Sequence, residues 1–110
     1  MGNPVCLVSG SSSGIGTAIV EAFAAYGYDV VVHYNSGSDP SDPRDHKKSG
    51  AERAVAVAEK LQATHQVEAL SLGADLSQSE AAFSLVDRAY EHFGRLDTVV
   101  SNSGVTNYVR

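Results

Sequence analysis

Apolar residues along the chain alternate between short β-branched runs and longer stretches spaced by three and four. Val5-Cys6-Leu7-Val8 is a compact run of strand length that stops at Ser9-Gly10. From Gly14 onward the apolar side chains fall at Ile15, Ala18, Ile19, Ala22, Phe23 and Tyr26, the spacing of a helix, and Gly27 supplies its stop. Val30-Val31-Val32, extending into His33 and Tyr34, predicts a strand buried on both faces, as in a parallel sheet covered by helices. Residues 35–50 are turn-rich and then mixed in charge, and are expected to form a surface loop inserted into one unit. Ser49 and Glu52 have capping-box spacing ahead of Ala54, Val55, Ala58 and Leu61. Val67 to Leu72 predicts a third strand. Ser77 and Glu80 form a second capping-box pair, opening a helix whose expected apolar face is Phe83, Val86, Tyr90 and Phe93. Gly94 ends that helix, and Leu96 to Val100 predicts a fourth strand stopping at Ser101-Asn102-Ser103-Gly104. The order β-α-β-α-β-α-β predicts an α/β fold with a parallel sheet and right-handed crossovers, without internal repeat or domain boundary.

Composition narrows what such a fold does. The 110 residues are 43% hydrophobic and 19% charged, an ordinary globular balance and enough for a modest core. Thirteen acidic against eight basic residues give a net charge of −5, which argues against a nucleic-acid surface or a polybasic membrane anchor. A local anion site stays open, because backbone N–H groups at a helix start carry no formal charge. One cysteine forms no internal disulfide, and four scattered histidines have no zinc spacing. No apolar run is long enough to span a membrane, and Met1–Val20 lacks the basic start of a signal peptide, so the cytoplasm is the expected compartment.

The chemistry-bearing segment is Gly10-Ser11-Ser12-Ser13-Gly14-Ile15-Gly16, set between the first strand and the first helix. Gly10 permits a sharp turn, Gly14 allows close backbone approach to a ligand, and Gly16 allows tight helix packing. The helix start offers N–H groups and a positive dipole end that suit a pyrophosphate.

Together with its flanks, this segment resembles the short-chain dehydrogenase/reductase family. Ser9 to Gly16 is similar to that family's Thr-Gly-x-x-x-Gly-x-Gly, with Ser at position 9. Ala74-Asp75-Leu76 resembles the Asp-Val/Leu pair that holds the adenine. Ser101-Asn102-Ser103-Gly104 resembles the Asn-Asn-Ala-Gly turn that supports the sheet and touches the cofactor ribose, with Ser101 and Ser103 as departures. The stretch from Leu96 to Gly104 is especially similar to fungal polyketide and naphthol reductases. The resemblance covers essentially the whole chain. It implies a Rossmann-type doubly wound sheet of strand order 3-2-1-4, with a dinucleotide across the carboxyl ends at the switch between strands 1 and 4. The implied contacts are Gly10, Ser12, Ser13, Gly14, Ile15, Gly16, Tyr34, Asn35, Ser36, Asp75, Leu76, Asn102, Ser103 and Gly104.

The family's catalytic Tyr-x-x-x-Lys is missing from this chain. Tyr26, Tyr28, Tyr34 and Tyr90 are followed four positions on by Val30, Val32, Ser38 and Gly94, and Tyr108 only by Val109 and Arg110. These residues are therefore expected to be the binding portion of a carbonyl reductase or alcohol dehydrogenase. The rival readings are a stand-alone nucleotide-binding or interaction module and a truncated product without function. An open, apolar strand-4 edge carrying Val99 and Val100 leads us to expect self-association.

No carboxylate stands at the end of the second strand, where an NAD site places one for the ribose 2′-OH; Tyr34, Asn35 and Ser36 stand there instead. The absence favours a 2′-phosphate, so NADP(H) is expected over NAD(H). Arg44, Lys47 and Lys48 are candidate cations, balanced by Asp39, Asp42 and Asp45 and open to the alternative of a solvated loop. His33 is either a neighbour of the adenosine phosphate or a simple strand-end histidine. Cys6 reads as a buried structural thiol, and His46, His65 and His92 as solvated. Asp75 has the alternative of being only a turn acceptor, with the companion motifs favouring the adenine role, and Asp97 reads as a surface residue.

Overall fold

A computed structural model describes residues 2–12, 14–36 and 47–102. Four strands and three helices alternate: β1 (Val5–Val8), α1 (Gly14–Ala25), β2 (Asp29–Asn35), α2 (Lys47–His65), β3 (Ala69–Ala74), α3 (Ser79–Phe93) and β4 (Thr98–Val100). All pairings are parallel and the order is β3-β2-β1-β4, as the resemblance implies. Leu7 lies between Val31 on one side and Val99 on the other, so β1 is central and the chain reverses its direction of travel between β1 and β4.

The period-two alternation of the strands divides the core in two. Cys6, Val8, Val30 and Val32 face α1 and α2, where Val20, Ala24, Ala54, Ala58 and Leu61 cover them. Leu7 and Val31 face the other way, against Leu85 and Ala89 of α3. Burial of the Cys6 thiol pushes its pKa up to about 12, which makes it inert packing.

Several local expectations shift. Strand β3 begins two residues later than the apolar content suggests, and Val67 is buried ahead of it. Strand β4 is shorter, and Asp97 enters a structural role before it. Strand β2 takes Asn35 and α2 takes residues 47–50 of the expected loop, and 37–46 lie outside the described residues. α2 starts at Lys47, so Ser49 lies inside its first turn rather than ahead of it. Ser77 does not cap α3. Its N–H and hydroxyl both donate to Asp75 Oδ1, at 3.0 and 2.7 Å, which leaves Gln78 at the N-cap without a side-chain bond.

The helix faces shift as well. In α1 the buried stripe is Gly16, Val20 and Ala24, flanked by Ile19 and Phe23, while Ile15, Ala18, Ala22 and Tyr26 are exposed. In α3 the buried pair is Leu85 and Ala89 with Ala81 and Phe93 beside it; Phe83, Val86 and Tyr90 are exposed. Both stripes of each helix have helical spacing, and the one that packs on the sheet is the buried one.

Candidate functional site

Parallel strands bring the segments following β1, β2, β3 and β4 to one edge of the sheet. Gly10 (φ +66°) makes the turn off β1 in the left-handed region, where a side chain is strained. Gly14 (φ +63°) does the same at the start of α1, and the space where its Cβ would stand is open. The first turn of α1 contains no acidic residue, and its leading N–H groups have no intrahelical acceptor. A backbone concavity with the positive end of a helix behind it is suited to an anion.

Gly16 serves the loop rather than the sheet. A Cβ there would come within 2.2 Å of the Gly10 carbonyl oxygen and 2.7 Å of Asn102 Nδ2. Only glycine lets α1, the β1 turn and the segment after β4 meet at this point. Ser9 joins the same junction: its N–H donates to the Val100 carbonyl (2.9 Å), and its Oγ accepts the Asn102 N–H (2.7 Å). Ser12 is buried in the loop, and Ile15 is exposed at the start of α1.

Ser11 and His33 complete the support, and neither stood among the expected contacts. The Ser11 hydroxyl donates to the Val8 carbonyl (2.7 Å) and accepts the His33 N–H (2.9 Å), while Ser11 N–H donates to the His33 carbonyl (3.0 Å). His33 is fully buried near the end of β2. Its Nδ1 accepts the Gly10 N–H at 2.9 Å, and its Nε2 lies 3.0 Å from the Ala74 carbonyl. Burial holds the ring below the ordinary histidine range, with the Ala74 carbonyl opposing and the Arg88 guanidinium reinforcing that depression. A histidine in a valine run gave the only hint of this role.

At the end of β2, Tyr34 lies across Gly73 and close to Gly50, so its ring occupies the α2 side of the sheet. Asn35 ends the strand, and Ser36 N–H donates to the Ala74 carbonyl (3.3 Å). Asp75 follows β3, its carboxyl held below the usual range by the Ser77 hydroxyl and N–H. Leu76 packs partly against the α3 core, and Asn102 stands beside Gly16. Ser13, Ser103, Gly104, Arg44 and His46 lie outside the described residues. The expected contacts that are described thus share one sheet edge.

Other polar residues serve the frame. Asp97 Oδ2 accepts the Val5 N–H (2.8 Å), and its carboxylate pairs with Arg95. His92 pairs with Glu68 at the exposed surface, while His65 is half-buried 3.7 Å from Glu21 rather than simply solvated. Among the described residues there is no cluster able to hold a metal ion, and no helix is long and apolar enough to cross a membrane.

Comparison with known proteins agrees with this geometry. The sequence pattern of the short chain dehydrogenase family matches residues 4–110. The chain is 41% identical over 98 residues to glucose 1-dehydrogenase 2 of Bacillus subtilis, covering 89% of this chain and 33% of that protein. It is 35% identical over 107 residues to versicolorin reductase 1 of Dothistroma septosporum, covering 94% and 34%. Its fold is similar to an alcohol dehydrogenase from Thermococcus sibiricus solved with 5-hydroxy-NADP, with a TM-score of 0.75 and 27% identity over 97% of this chain and 40% of that one. The chain spans about a third of the length of the curated relatives it matches.

Proposed function

The chain belongs to the short-chain dehydrogenase family, and from that premise we propose that residues 1–110 form the NADP(H)-binding portion of an oxidoreductase that reduces a carbonyl or oxidises an alcohol by hydride transfer. The observation that carries this reading is the β1–α1 turn, with Gly10 and Gly14 at positive φ ahead of an α1 first turn free of acidic residues. In this reading Gly10, Ser12, Ser13, Gly14, Ile15 and Gly16 cradle the pyrophosphate. Asp75 and Leu76 take the adenine, and Asn102, Ser103 and Gly104 lie along the nicotinamide ribose.

Tyr34, Asn35 and Ser36 surround the adenosine ribose. The lack of a carboxylate there supports NADP(H) over NAD(H), as does the fold's likeness to an enzyme solved with an NADP derivative. When bound, the nicotinamide supplies the hydride; these residues bind and orient it. The proton-transferring Tyr-x-x-x-Lys of the family is absent from this sequence, so catalysis belongs to residues outside it. The cytoplasm is the proposed compartment.

The exposed side of α3 adds independent support. Phe83, Val86 and Tyr90 are exposed on α3, and Val99 is 55% exposed on the outer strand β4. An apolar surface of this kind is built to be covered. Taken alone, the chain covers it by self-association along the β4 edge.

Calorimetric titration of the folded chain with NADP⁺ and NAD⁺ tests the binding reading. Tighter NADP⁺ binding is expected, and tighter NAD⁺ binding reverses the preference. The same chain mixed with NADPH and small ketones or quinones is expected to show no turnover. Turnover abolished by a single substitution within residues 1–110 would refute the assignment of the chemistry elsewhere. A monodisperse monomer in sedimentation would refute the self-association.

A further inference from the structure

His33 is the one fully buried ionisable side chain at the carboxyl edge among the described residues, and the binding reading above gives it no task. Its two ring contacts specify its protonation. A backbone N–H only donates, so Nδ1 facing Gly10 must carry a lone pair; a carbonyl only accepts, so Nε2 facing Ala74 must carry a proton. The ring is therefore the neutral Nε2–H tautomer, and an imidazolium cannot keep both bonds. Gly10 and Ala74 are not arbitrary partners. Gly10 makes the left-handed turn that starts the glycine loop, and Ala74 ends β3 immediately before Asp75.

We propose that His33 is a positioning residue of the dinucleotide site: its neutral ring ties the pyrophosphate loop to the adenine end of β3, and its protonation releases Gly10 and weakens nucleotide binding. This deepens the proposed function and rests on it. The backbone doubles the tether, since Ser11 bonds both the N–H and the carbonyl of His33. A proton on Nδ1 would set two donors, the ring and the Gly10 N–H, against each other across 2.9 Å inside the core.

Of the charged groups nearby, the cation works in the same direction, and the one carboxylate is engaged by its own turn. From α3, the Arg88 guanidinium is held on the Gly73 carbonyl at 2.8 Å and repels an imidazolium. From the end of β3, the Asp75 carboxylate accepts from Ser77. Strand β1 presents Leu7 on this side, and the described loop residues are serine and glycine, so neither adds a charge. Burial depresses the ring's pKa, so the stability that the neutral ring contributes is complete above the ordinary histidine value. It is lost as pH falls from there toward the folded value.

The test is NADP⁺ affinity of the full chain across acid and neutral pH, for wild type, His33→Asn and His33→Leu. Circular dichroism at each pH gives the folded fraction against which binding is read. Asn places Oδ1 where Nδ1 stands and cannot titrate; Leu offers no acceptor. Wild-type affinity is expected to fall about tenfold per pH unit below the ring's own pKa, while His33→Asn holds a flatter profile and His33→Leu binds weakly throughout. Titration of the nucleotide's own phosphate, with a second pKa near about 6, acts on all three proteins equally. Parallel profiles for wild type and His33→Asn, or wild-type affinity in His33→Leu, would overturn the proposal. The Gly10 amide resonance of the nucleotide-free chain separates the two levels of the argument. If it moves with the His33 titration in wild type but not in His33→Asn while NADP⁺ binds nowhere, the tether is real and the cofactor reading has failed, taking the positioning role with it. A Gly10 resonance indifferent to the titration, with NADP⁺ bound normally, leaves the cofactor reading intact and overturns the proposal alone.

Discussion

Around the β1–α1 turn, Ser9, Ser11 and His33 give their side-chain polar atoms to the backbone of neighbouring strands, and Gly16 leaves no room for a Cβ. Across α3 and β4, Phe83, Tyr90 and Val99 stand open to solvent, and the α3 N-cap makes no side-chain bond. In the first region the described loop residues are tied to the strands by their own hydrogen bonds, which lowers the ordering cost of binding. In the second, the apolar packing of α3 on the sheet comes from Leu85, Ala89 and the half-buried residues beside them. Its exposed apolar side contributes nothing until something covers it, after which each Å² removed from water is worth about 25 cal/mol. A glycine loop can thus be tied down on a sheet whose outer strand stays open.

The largest test of that contrast is Gly16→Ala. A methyl group 2.2 Å from the Gly10 carbonyl meets backbone on one side and Asn102 on the other, so the loop must shift. Overpacking of this kind costs about 1–3 kcal/mol, and urea unfolding should place this variant near the top of that range, with NADP⁺ binding lost. Wild-type stability would mean that the junction is loosely held. Gly14→Asp acts where there is open space, so the fold should survive, while a carboxylate beside the proposed pyrophosphate lowers affinity at least tenfold, about 1.4 kcal/mol. Calorimetry giving unchanged affinity would remove Gly14 from the site.

Asp97 anchors the weaker region. Arg95 first, and then the Val5 N–H, holds its carboxyl below the ordinary aspartate range. A depressed carboxyl contributes stability above its unfolded pKa and loses it as pH falls through the folded value. Asp97→Asn should therefore flatten the loss of the urea midpoint between neutral and strongly acid pH, and an unaltered acid profile would show that the pair adds nothing. The smallest effect on stability is expected from Phe83→Ser combined with Val99→Thr, within about 0.5 kcal/mol of wild type. Sedimentation should nevertheless show less self-association in that variant. Unfolding of the variant would mean that the exposed face already carries load.

Sequence reading went furthest where a residue's own backbone or charge decides the outcome. The glycine spacing of 10, 14 and 16, the valine run of β2 and the stop at Gly94 are local signals, and Gly94 does close α3 in the left-handed region at φ +77°. It went astray where two local patterns were equally regular. Phe83-Val86-Tyr90 and Ala81-Leu85-Ala89 both trace a helical stripe, and the bulkier one is the more conspicuous in sequence. Ser77 had the spacing of a cap but is held by Asp75, two residues away. His33 carried no motif at all, because its meaning depends on Gly10, 23 residues earlier, and Ala74, 41 residues later.

The sequence by itself determined the alternation of elements and the parallel sheet, because these follow from the period of apolar residues and from glycines at turns, while the family came from the resemblance of its motifs. It also placed the candidate contacts at the ends of strands. Only the tertiary structure decided which face of each helix is buried, which serines are spent on backbone and how His33 is protonated. Those depend on how near the sheet lies to a helix and on which donor or acceptor another strand presents, and neither quantity is local to the chain.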